Sequence, residues 1–454
     1  MAFWQPTRTV HDHRSQPVKK IFGAPPFILS VSFFCLIILG SLLLKLPFAT
    51  HEPITWLESL FTATSATTVT GLAVVDTGTR FTVFGQVIIA LLIQCGGLGL
   101  MTFAIVTLIA LGGKIGFLER TVAREAFNQT DASTLVATAK SVLIFALFVE
   151  SIGILILSLY WMPELGFATS LYHGFFYTIS AFNNAGFALD SNSLVPYVAD
   201  PVVSLTISAL FIIGGLGFSI WTDLIRKRCW SKLTIYSRMM IMGTVVINVV
   251  ALLLIYFIER NNPETLAPLS ESGKWIASWF QAVTPRTAGF NSLPMDQLED
   301  ASTALILILM FIGGGSLSTA GGIKIVTFMV LLRATYAYLR RDDQVMMFKR
   351  EIPKETIHKA LSLVMISAIV TWLAIFALLL SENAAFIDVV FEAVSALGTV
   401  GLSRGLTGEL SVTGNFIIIF LMFMGRLGPL TLAYFLATPR QKKVRYPEVS
   451  ITIG

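Results

Sequence analysis

The sequence predicts an all-α polytopic membrane protein of four M1–pore loop–M2 repeats, arranged with pseudo-fourfold symmetry around one pore per subunit. Three observations carry that expectation. Hydrophobic residues make up 55% of the 454 and charged residues only 13%, with a mean hydropathy of +0.76. That leaves too little polar material to cover several soluble domains. Apolar runs approaching the roughly 20 residues a helix needs to cross hydrocarbon recur along the whole length. A shorter amphipathic stretch with one residue pattern occurs four times between them.

The apolar runs are Phe27–Leu44, Val83–Leu111, Val142–Trp161, Val202–Trp221, Ile241–Ile258, Leu361–Leu380 and Phe416–Leu436. The first follows a polar arm with Arg8, Arg14, Lys19 and Lys20, and no short apolar region with a small-residue cleavage site precedes it. No removable signal peptide is expected. Cys35, Cys95 and Cys229 are too few and too scattered for a disulfide framework or a zinc site, so packing is the expected role of these thiols.

Basic residues gather in the arm, at Lys114, Arg120, Arg124 and Lys140, between Arg226 and Arg238, between Arg333 and Lys359, and between Arg440 and Arg445. The alternate loops hold mainly acids, among them Glu52, Asp76, Asp190, Asp200, Asp296, Glu382 and Asp388. The positive-inside rule then makes the basic segments and both termini cytoplasmic, in a multi-pass protein of the cytoplasmic (inner) membrane. The net charge of +5 reports topology or contact with anionic lipid, and nucleic acid is not an expected partner.

The short stretches superpose as Phe, three residues, then Ser or Thr: Phe61 and Ser65, Phe176 and Ser180, Phe280 and Thr284, Phe391 and Ser395. Five or six residues later each reaches a glycine with a large apolar neighbour, at Gly71, Gly186, Gly289 and Gly401. These glycines lie more than 100 residues apart, too far for a solenoid repeat and consistent with fourfold duplication of a membrane unit. The division expected is an arm at 1–20, repeats at 21–130, 131–232 and 233–350, the third with a broken second helix, and a fourth repeat with a short tail at 351–454. A second echo follows about 25 residues after each glycine, at Gly96, Gly214, Gly313 and Gly425. A glycine pair in a membrane helix is ordinarily a close-packing site, and its recurrence in all four units argues for a shared axis.

A stretch of about a dozen residues makes about 18 Å of helix, which ends inside the membrane. The negative end of its macrodipole then favours a cation there. The non-helical backbone that follows is tolerated only where protein buries it or where it lines a watery cavity. Four glycines free to adopt φ > 0 are able to close a ring of carbonyl oxygens around a dehydrated ion. The candidate filter residues are Thr68, Val69, Thr70 and Gly71; Asn184, Ala185 and Gly186; Thr287, Ala288 and Gly289; and Thr399, Val400 and Gly401. None is acidic, which suits a large monovalent ion better than Ca²⁺ or Mg²⁺. K⁺ is the expected ion, with Na⁺ as competitor.

The third unit's second helix, roughly Leu305 to Tyr338, is interrupted by Gly313, Gly314, Gly315, Ser316, Leu317, Ser318, Thr319, Ala320, Gly321 and Gly322. Such a segment does not stay a straight helix. It is either a kinked packing element or a movable loop beneath the filter, and it lacks the ending and the preceding strand of a phosphate-binding loop. Lys324 and Arg426 carry charge where hydrocarbon is expected, so each is expected to face the aqueous interior or a partner, with Arg426 level with the loop. Arg286, just before the third filter segment, is expected to pair with an acid behind the filter. An enzyme would need a nucleophile and base or clustered ligands; His173, Glu150 and Asp223 are the only candidates, none with a paired His or Cys.

The four filter glycines, the glycine-rich interruption and Arg426 together resemble the superfamily of K⁺ transporters that includes Trk, Ktr and plant HKT proteins, and most closely the membrane subunits of bacterial Ktr systems. The resemblance implies a homodimer, Na⁺-stimulated K⁺ uptake and a cytoplasmic ring of nucleotide-binding KtrA-like regulatory subunits, with no organic cofactor in this chain. It implies K⁺ binding at Gly71, Gly186, Gly289 and Gly401, gating by Gly313–Gly322, and a role for Arg426. The full Thr-Val-Gly-Tyr-Gly of K⁺ channels is absent, and some relatives that carry Na⁺ place serine where Gly71 stands.

Overall fold

A computed structural model describes residues 25–99, 132–315 and 318–428. The basic residues from Arg8 to Lys20, Lys114, Arg120, Arg124, those from Arg440 to Arg445, and Ser316 lie outside the described residues. One motif occurs four times: a first helix, a short helix, an extended segment and a second helix. The first helices are α1 (Pro25–Leu44), α4 (Ala132–Leu165), α8 (Ile235–Glu259) and α12 (Lys354–Ser381). The short helices are α2 (Trp56–Thr68), α5 (Phe167–Phe182), α9 (Glu271–Val283) and α13 (Phe386–Gly398). The second helices are α3 (Val83–Gly97), α6 (Pro201–Leu216), α10 (Asp300–Phe311) and α14 (Val412–Leu427). Two further helices, α7 (Phe218–Lys227) and α11 (Ile325–Leu339), continue the second and third units.

The short helices hold 13 to 16 residues, about 20–24 Å of helix, less than the roughly 30 Å hydrocarbon core. Local chemistry starts and stops them. At α2 the Thr55 hydroxyl accepts from the Glu58 N–H at 3.2 Å while the Glu58 carboxylate accepts from the Thr55 N–H at 2.6 Å, a complete capping box. Ser270 caps α9 through the Gly273 N–H. At the other end, Val69 and Thr399 adopt left-handed backbone and return their N–H groups to Ala66 and Ala396.

The four units close into a ring. Each second helix packs on the short helix of the next unit: α3 on α5, α6 on α9, α10 on α13, and α14 back on α2. The cores cross the same seams. Phe176, Ala185 and Phe187 of the second unit complete the first unit's core, and Phe61 and Leu72 of the first complete the fourth's. All four motif phenylalanines, Phe61, Phe176, Phe280 and Phe391, are buried. Where the surroundings are hydrocarbon, such burial stabilises through close van der Waals packing rather than through removal from water.

Among the described residues, three helices are long and apolar enough to cross a membrane, spanning Ala139–Leu165, Ile235–Glu259 and Lys354–Ser381, and the pair α6 and α7, bent by 89° at its break, passes the same test only when taken together. The runs Val83–Leu111, Val202–Trp221 and Phe416–Leu436 are thus not the uninterrupted helices their hydropathy predicts. In three units the second helix ends in Leu-Gly, with Gly99, Gly217 and Gly428 at φ of 82°, 100° and 86°. A glycine just past a helix end takes the left-handed region without the Cβ penalty and stops the helix. Interruption is therefore a property of every unit, and the third differs in the length of its break. There Ile312–Gly313 pairs in parallel with Ile323–Lys324, pinching the ends of the intervening loop together.

Candidate functional site

The predicted filter segments meet at the centre of the ring. In each, two residues adopt left-handed backbone with one residue between them: Val69 and Gly71, Asn184 and Gly186, Thr287 and Gly289, Thr399 and Gly401. Three of the four non-glycine members are β-branched, for which this conformation costs roughly 1–2 kcal/mol. Such strain persists only where the surroundings over-determine it. The segments are buried to match, with Val69, Thr70, Asn184, Ala185, Thr287, Ala288, Thr399 and Val400 all at most 1% exposed.

The glycines touch in sequence. A Cβ added at Gly71 would stand 3.3 Å from the Gly186 Cα, one at Gly186 2.7 Å from Gly289, one at Gly289 3.4 Å from Gly401, and one at Gly401 3.0 Å from Gly71. The chain of contacts returns to its start. Added Cβ atoms at Gly71, Gly289 and Gly401 would also overlap the carbonyl oxygens of Ala185, Val400 and Thr70, each belonging to the residue before a neighbouring glycine. Glycine is required here by crowding as much as by φ.

The Ser or Thr four residues after each phenylalanine ties its helix to the segment. The Ser65 and Ser395 hydroxyls accept from the Gly71 and Gly401 N–H groups at 3.0 and 3.2 Å. Ser180 and Thr284 instead donate to the Phe187 and Phe290 carbonyls at 2.7 and 2.6 Å. The second glycine echo also has a structural role. A Cβ at Gly96, Gly214 or Gly425 would run into the carbonyl oxygen of Thr67, Phe182 or Leu397 at the end of its own unit's short helix. These small residues let helix backbones approach.

The loop of the third unit crosses beneath the ring. Its Gly315 N–H donates to the Gly215 carbonyl at 2.8 Å, and the Thr319 hydroxyl donates to the Asn184 side-chain oxygen at 2.6 Å. Across the axis, Gly321 lies so close to Thr399 that a Cβ there would strike the threonine hydroxyl. Two cations hold its carbonyls. The Lys324 ammonium donates to Ala320 at 2.7 Å and to Gly321 at 3.2 Å. The Arg426 guanidinium donates to the Thr319 carbonyl and to those of Gly96 and, at 3.2 Å, Gly97. Arg426, from the fourth unit, thereby links the loop to the first.

Arg286 departs from expectation. No acid pairs with it among the described residues, and the buried Glu392 behind the fourth segment accepts from the Ser403 and Thr407 hydroxyls. The three residues weighed as catalytic are scattered. His173 packs between the Trp161 and Tyr177 rings, Glu150 accepts from Gln94 at 2.8 Å, and Asp223 pairs with Lys227. Residues missed by sequence reasoning include Gln94, which accepts from Asn183 at 2.7 Å and so ties the first unit to the second, and Arg404, which joins Asp388 at 2.7 Å to the Met295 carbonyl.

The profile of the TrkH family, described as a cation transport protein, matches residues 25–446. The chain belongs to this family. Its members are polytopic membrane transporters rather than enzymes. The chain is 46% identical over 441 residues to the Ktr system potassium uptake protein B of Bacillus subtilis, covering 97% of this chain and 99% of that one. It is 42% identical to the protein of the same name from Vibrio alginolyticus, covering 96% of each. It is also 35% identical to the potassium/sodium uptake protein NtpJ of Enterococcus hirae, over 95% of this chain and 97% of the relative. The crystal structure of the potassium transporter TrkH from Vibrio parahaemolyticus superposes with a TM-score of 0.74 at 19% identity, covering 95% of this chain and 87% of that one. The likeness to that structure establishes a shared fold.

Proposed function

We propose that this TrkH-family protein takes up K⁺ across the cytoplasmic membrane through the ring of Gly71, Gly186, Gly289 and Gly401, with the 313–322 loop as its gate. The observation that carries the proposal is the closed circuit of glycine contacts, each beside a carbonyl of the adjoining unit. Alternating left-handed and ordinary backbone turns consecutive peptide planes the same way, which a column of carbonyls facing an ion requires. The short helices direct their negative ends toward the same point. No carboxylate lies in the segments, so the site favours a weakly hydrated monovalent ion over a divalent one.

Gating follows from the loop's position. It spans from Asn184 to Thr399 under the ring, and Lys324 and Arg426 put two positive charges on the exit path, a barrier to a cation at low dielectric. Withdrawal of the loop requires its carbonyls to leave these side chains. Regulation by a KtrA-like nucleotide-binding ring in the cytoplasm, stimulation by Na⁺, and assembly as a homodimer belong to the same proposal, supported by relatives named as parts of a Ktr system. Both termini are cytoplasmic by the distribution of basic residues.

The test is complementation of a K⁺-uptake-deficient strain at low K⁺, with and without Na⁺ and with and without a candidate cytoplasmic partner. Growth rescue that saturates with K⁺ is expected, and failure under every condition despite membrane insertion overturns the proposal. A Na⁺-carrying protein of this architecture is the second possibility, favoured by the relative named for both ions. Gly71→Ser separates the two, since a K⁺ filter loses preference for K⁺ over Na⁺ in that variant and a Na⁺ pathway does not.

A further inference from the structure

The residue that follows each motif phenylalanine is polar, and all four, Thr62, Tyr177, Gln281 and Glu392, are at most 1% exposed. A polar side chain withdrawn so completely costs free energy unless it is hydrogen-bonded. In three units its partner lies on the segment that leaves the filter glycine. The Tyr177 hydroxyl donates to the Asp190 carboxylate at 2.6 Å, and the Gln281 amide reaches the Met295 sulfur at 3.4 Å. Glu392 accepts twice, from the Ser403 hydroxyl at 2.9 Å and from the Thr407 hydroxyl. The Thr62 hydroxyl has no partner.

Glu392 is one rung of a longer contact. Asp388, Glu392 and Ser395 recur at helical spacing, which puts them on one face of α13. From that face the Ser395 carbonyl accepts the Val400 N–H at 2.9 Å and its hydroxyl accepts the Gly401 N–H at 3.2 Å. Glu392 then takes Ser403, and Asp388 takes the Arg404 Nε at 2.7 Å. The chain from the filter to Arg404 is thereby fastened to a single helix. Arg404 carries the brace into the third unit, donating to the carbonyl of Met295 at 2.9 Å. Among the described residues no other unit repeats this face. The positions matching Asp388 are Glu58, His173 and Ala277, and Glu58 is taken up by the cap of α2.

A buried carboxylate in a membrane protein is expensive to keep, and such groups persist where function needs them. The need is visible in the backbone. Thr399 and Gly401 hold left-handed conformations at φ of 50° and 93°, and strained backbone persists only where its surroundings over-determine it. A carbonyl ring discriminates between ions by its size or by the crowding of its dipoles, and both are lost when one segment slackens. Hydrogen bonds to a carboxylate hold a segment more firmly than neutral ones do. We propose that Glu392 is a positioning residue for cation selectivity: through Ser403 it fixes the segment at Gly401 and so sets the ring's preference for K⁺ over Na⁺. Being fully buried, it acts through that segment and not on the ion. The inference rests on the proposed function of the ring and adds to it the side chain that sets its selectivity.

The experiment compares rubidium and sodium tracer fluxes into liposomes holding the full-length protein, with melting measured alongside. Losing a hydrogen bond to a charged group lowers the population of the held geometry about tenfold, so the rubidium-to-sodium flux ratio is expected to fall about tenfold in Glu392→Ala. Ser403→Ala leaves the carboxylate bound to Thr407 and is expected to lower the ratio several-fold. It is the milder change that keeps the inference testable should Glu392→Ala fail to fold. Glu392→Gln, whose amide is able to accept from one hydroxyl and donate to the other, is expected to keep most of the preference. A purely structural role lowers melting in these variants without moving the ratio. An unchanged ratio in assembled Ser403→Ala overturns the inference, as does a loss in Glu392→Gln equal to that in Glu392→Ala, which would mean that the charge itself acts on the ion. A wild type that passes neither ion sinks the proposed function and the inference together, while a selective wild type beside equally selective variants sinks the inference alone.

Discussion

Replacing Arg426 with glutamine tests whether the loop is the gate. The guanidinium reaches three carbonyls, one on the loop at Thr319 and two on the first unit at Gly96 and Gly97. Glutamine is shorter and neutral, and it cannot span both. A hydrogen bond to a charged group contributes about 1.5–3 kcal/mol net, and each 1.4 kcal/mol is a factor of ten, so releasing the Thr319 carbonyl shifts the loop equilibrium about 10- to 150-fold. Arg426 is only half-buried, and water takes over part of that interaction, which puts the expected shift near tenfold. The other loop contacts, from Lys324 to Ala320 and Gly321 and from Thr319 to Asn184, remain. Rubidium flux into liposomes holding purified protein, without any cytoplasmic partner, is therefore expected to rise about tenfold in Arg426→Gln, with melting little changed. A correctly assembled variant whose flux stays within about twofold of wild type would refute the idea that Arg426 holds a closed gate.

Gly401→Ala is expected to abolish uptake while leaving the first-helix packing intact. The added methyl would strike the Thr70 carbonyl and stand 3.0 Å from the Gly71 Cα. Adding about 1–2 kcal/mol for alanine at φ 93° to about 1–3 kcal/mol for overpacking makes the ring the place that yields; full uptake at wild-type K⁺ affinity would contradict the crowded ring. Just past the first helix of the fourth unit, burial raises the pKa of Glu382, but hydrogen bonds from Ser411, Ser381 and Gly414 hold it below its ordinary 4.5. A depressed folded-state pKa gives stability that is present above the unfolded value and lost as pH falls through the folded one. Melting of wild type and Glu382→Gln should therefore differ at pH 7 and converge below about pH 4.5; a gap that persists unchanged at lower pH counts against the carboxylate's role.

The ring was legible because its two markers are chemically scarce in apolar helices. A hydroxyl four residues after a buried phenylalanine, and a glycine five or six residues later, have no reason to recur four times unless each position meets the same surroundings. Nothing in the local pattern marks Val69 and Thr399 as left-handed, since β-branched residues avoid that backbone and only packing from the neighbouring units compels it. The ends of the second helices were written in Gly99, Gly217 and Gly428, but long apolar runs argue for continuity and outweighed a single glycine. Arg286 stands out in the sequence as a charge beside the filter, while its lack of an acid partner depends on the three-dimensional placement of the carboxylates, which no local pattern records.

The third unit's departure from its siblings follows from the geometry of one axis. Its loop reaches from Asn184 to Thr399, on units that flank it, and its Thr319 carbonyl is taken by Arg426 of the fourth unit. Four copies of such a loop would compete for the same space beneath the ring, so an assembly of four identical chains has no room for it. Covalent linkage of four diverged units removes that conflict. It lets one unit lengthen its break into a crossing loop while the other three end in a single left-handed glycine. It also lets another place an arginine where its counterparts have glycine at 97 and 215. The arginine and the loop are complementary departures from symmetry, and they meet at the Thr319 carbonyl. A glycine at 426 would leave the Thr319 carbonyl without its donor, and an arginine at 97 would collide with the Asn183 side chain that already lies against that glycine.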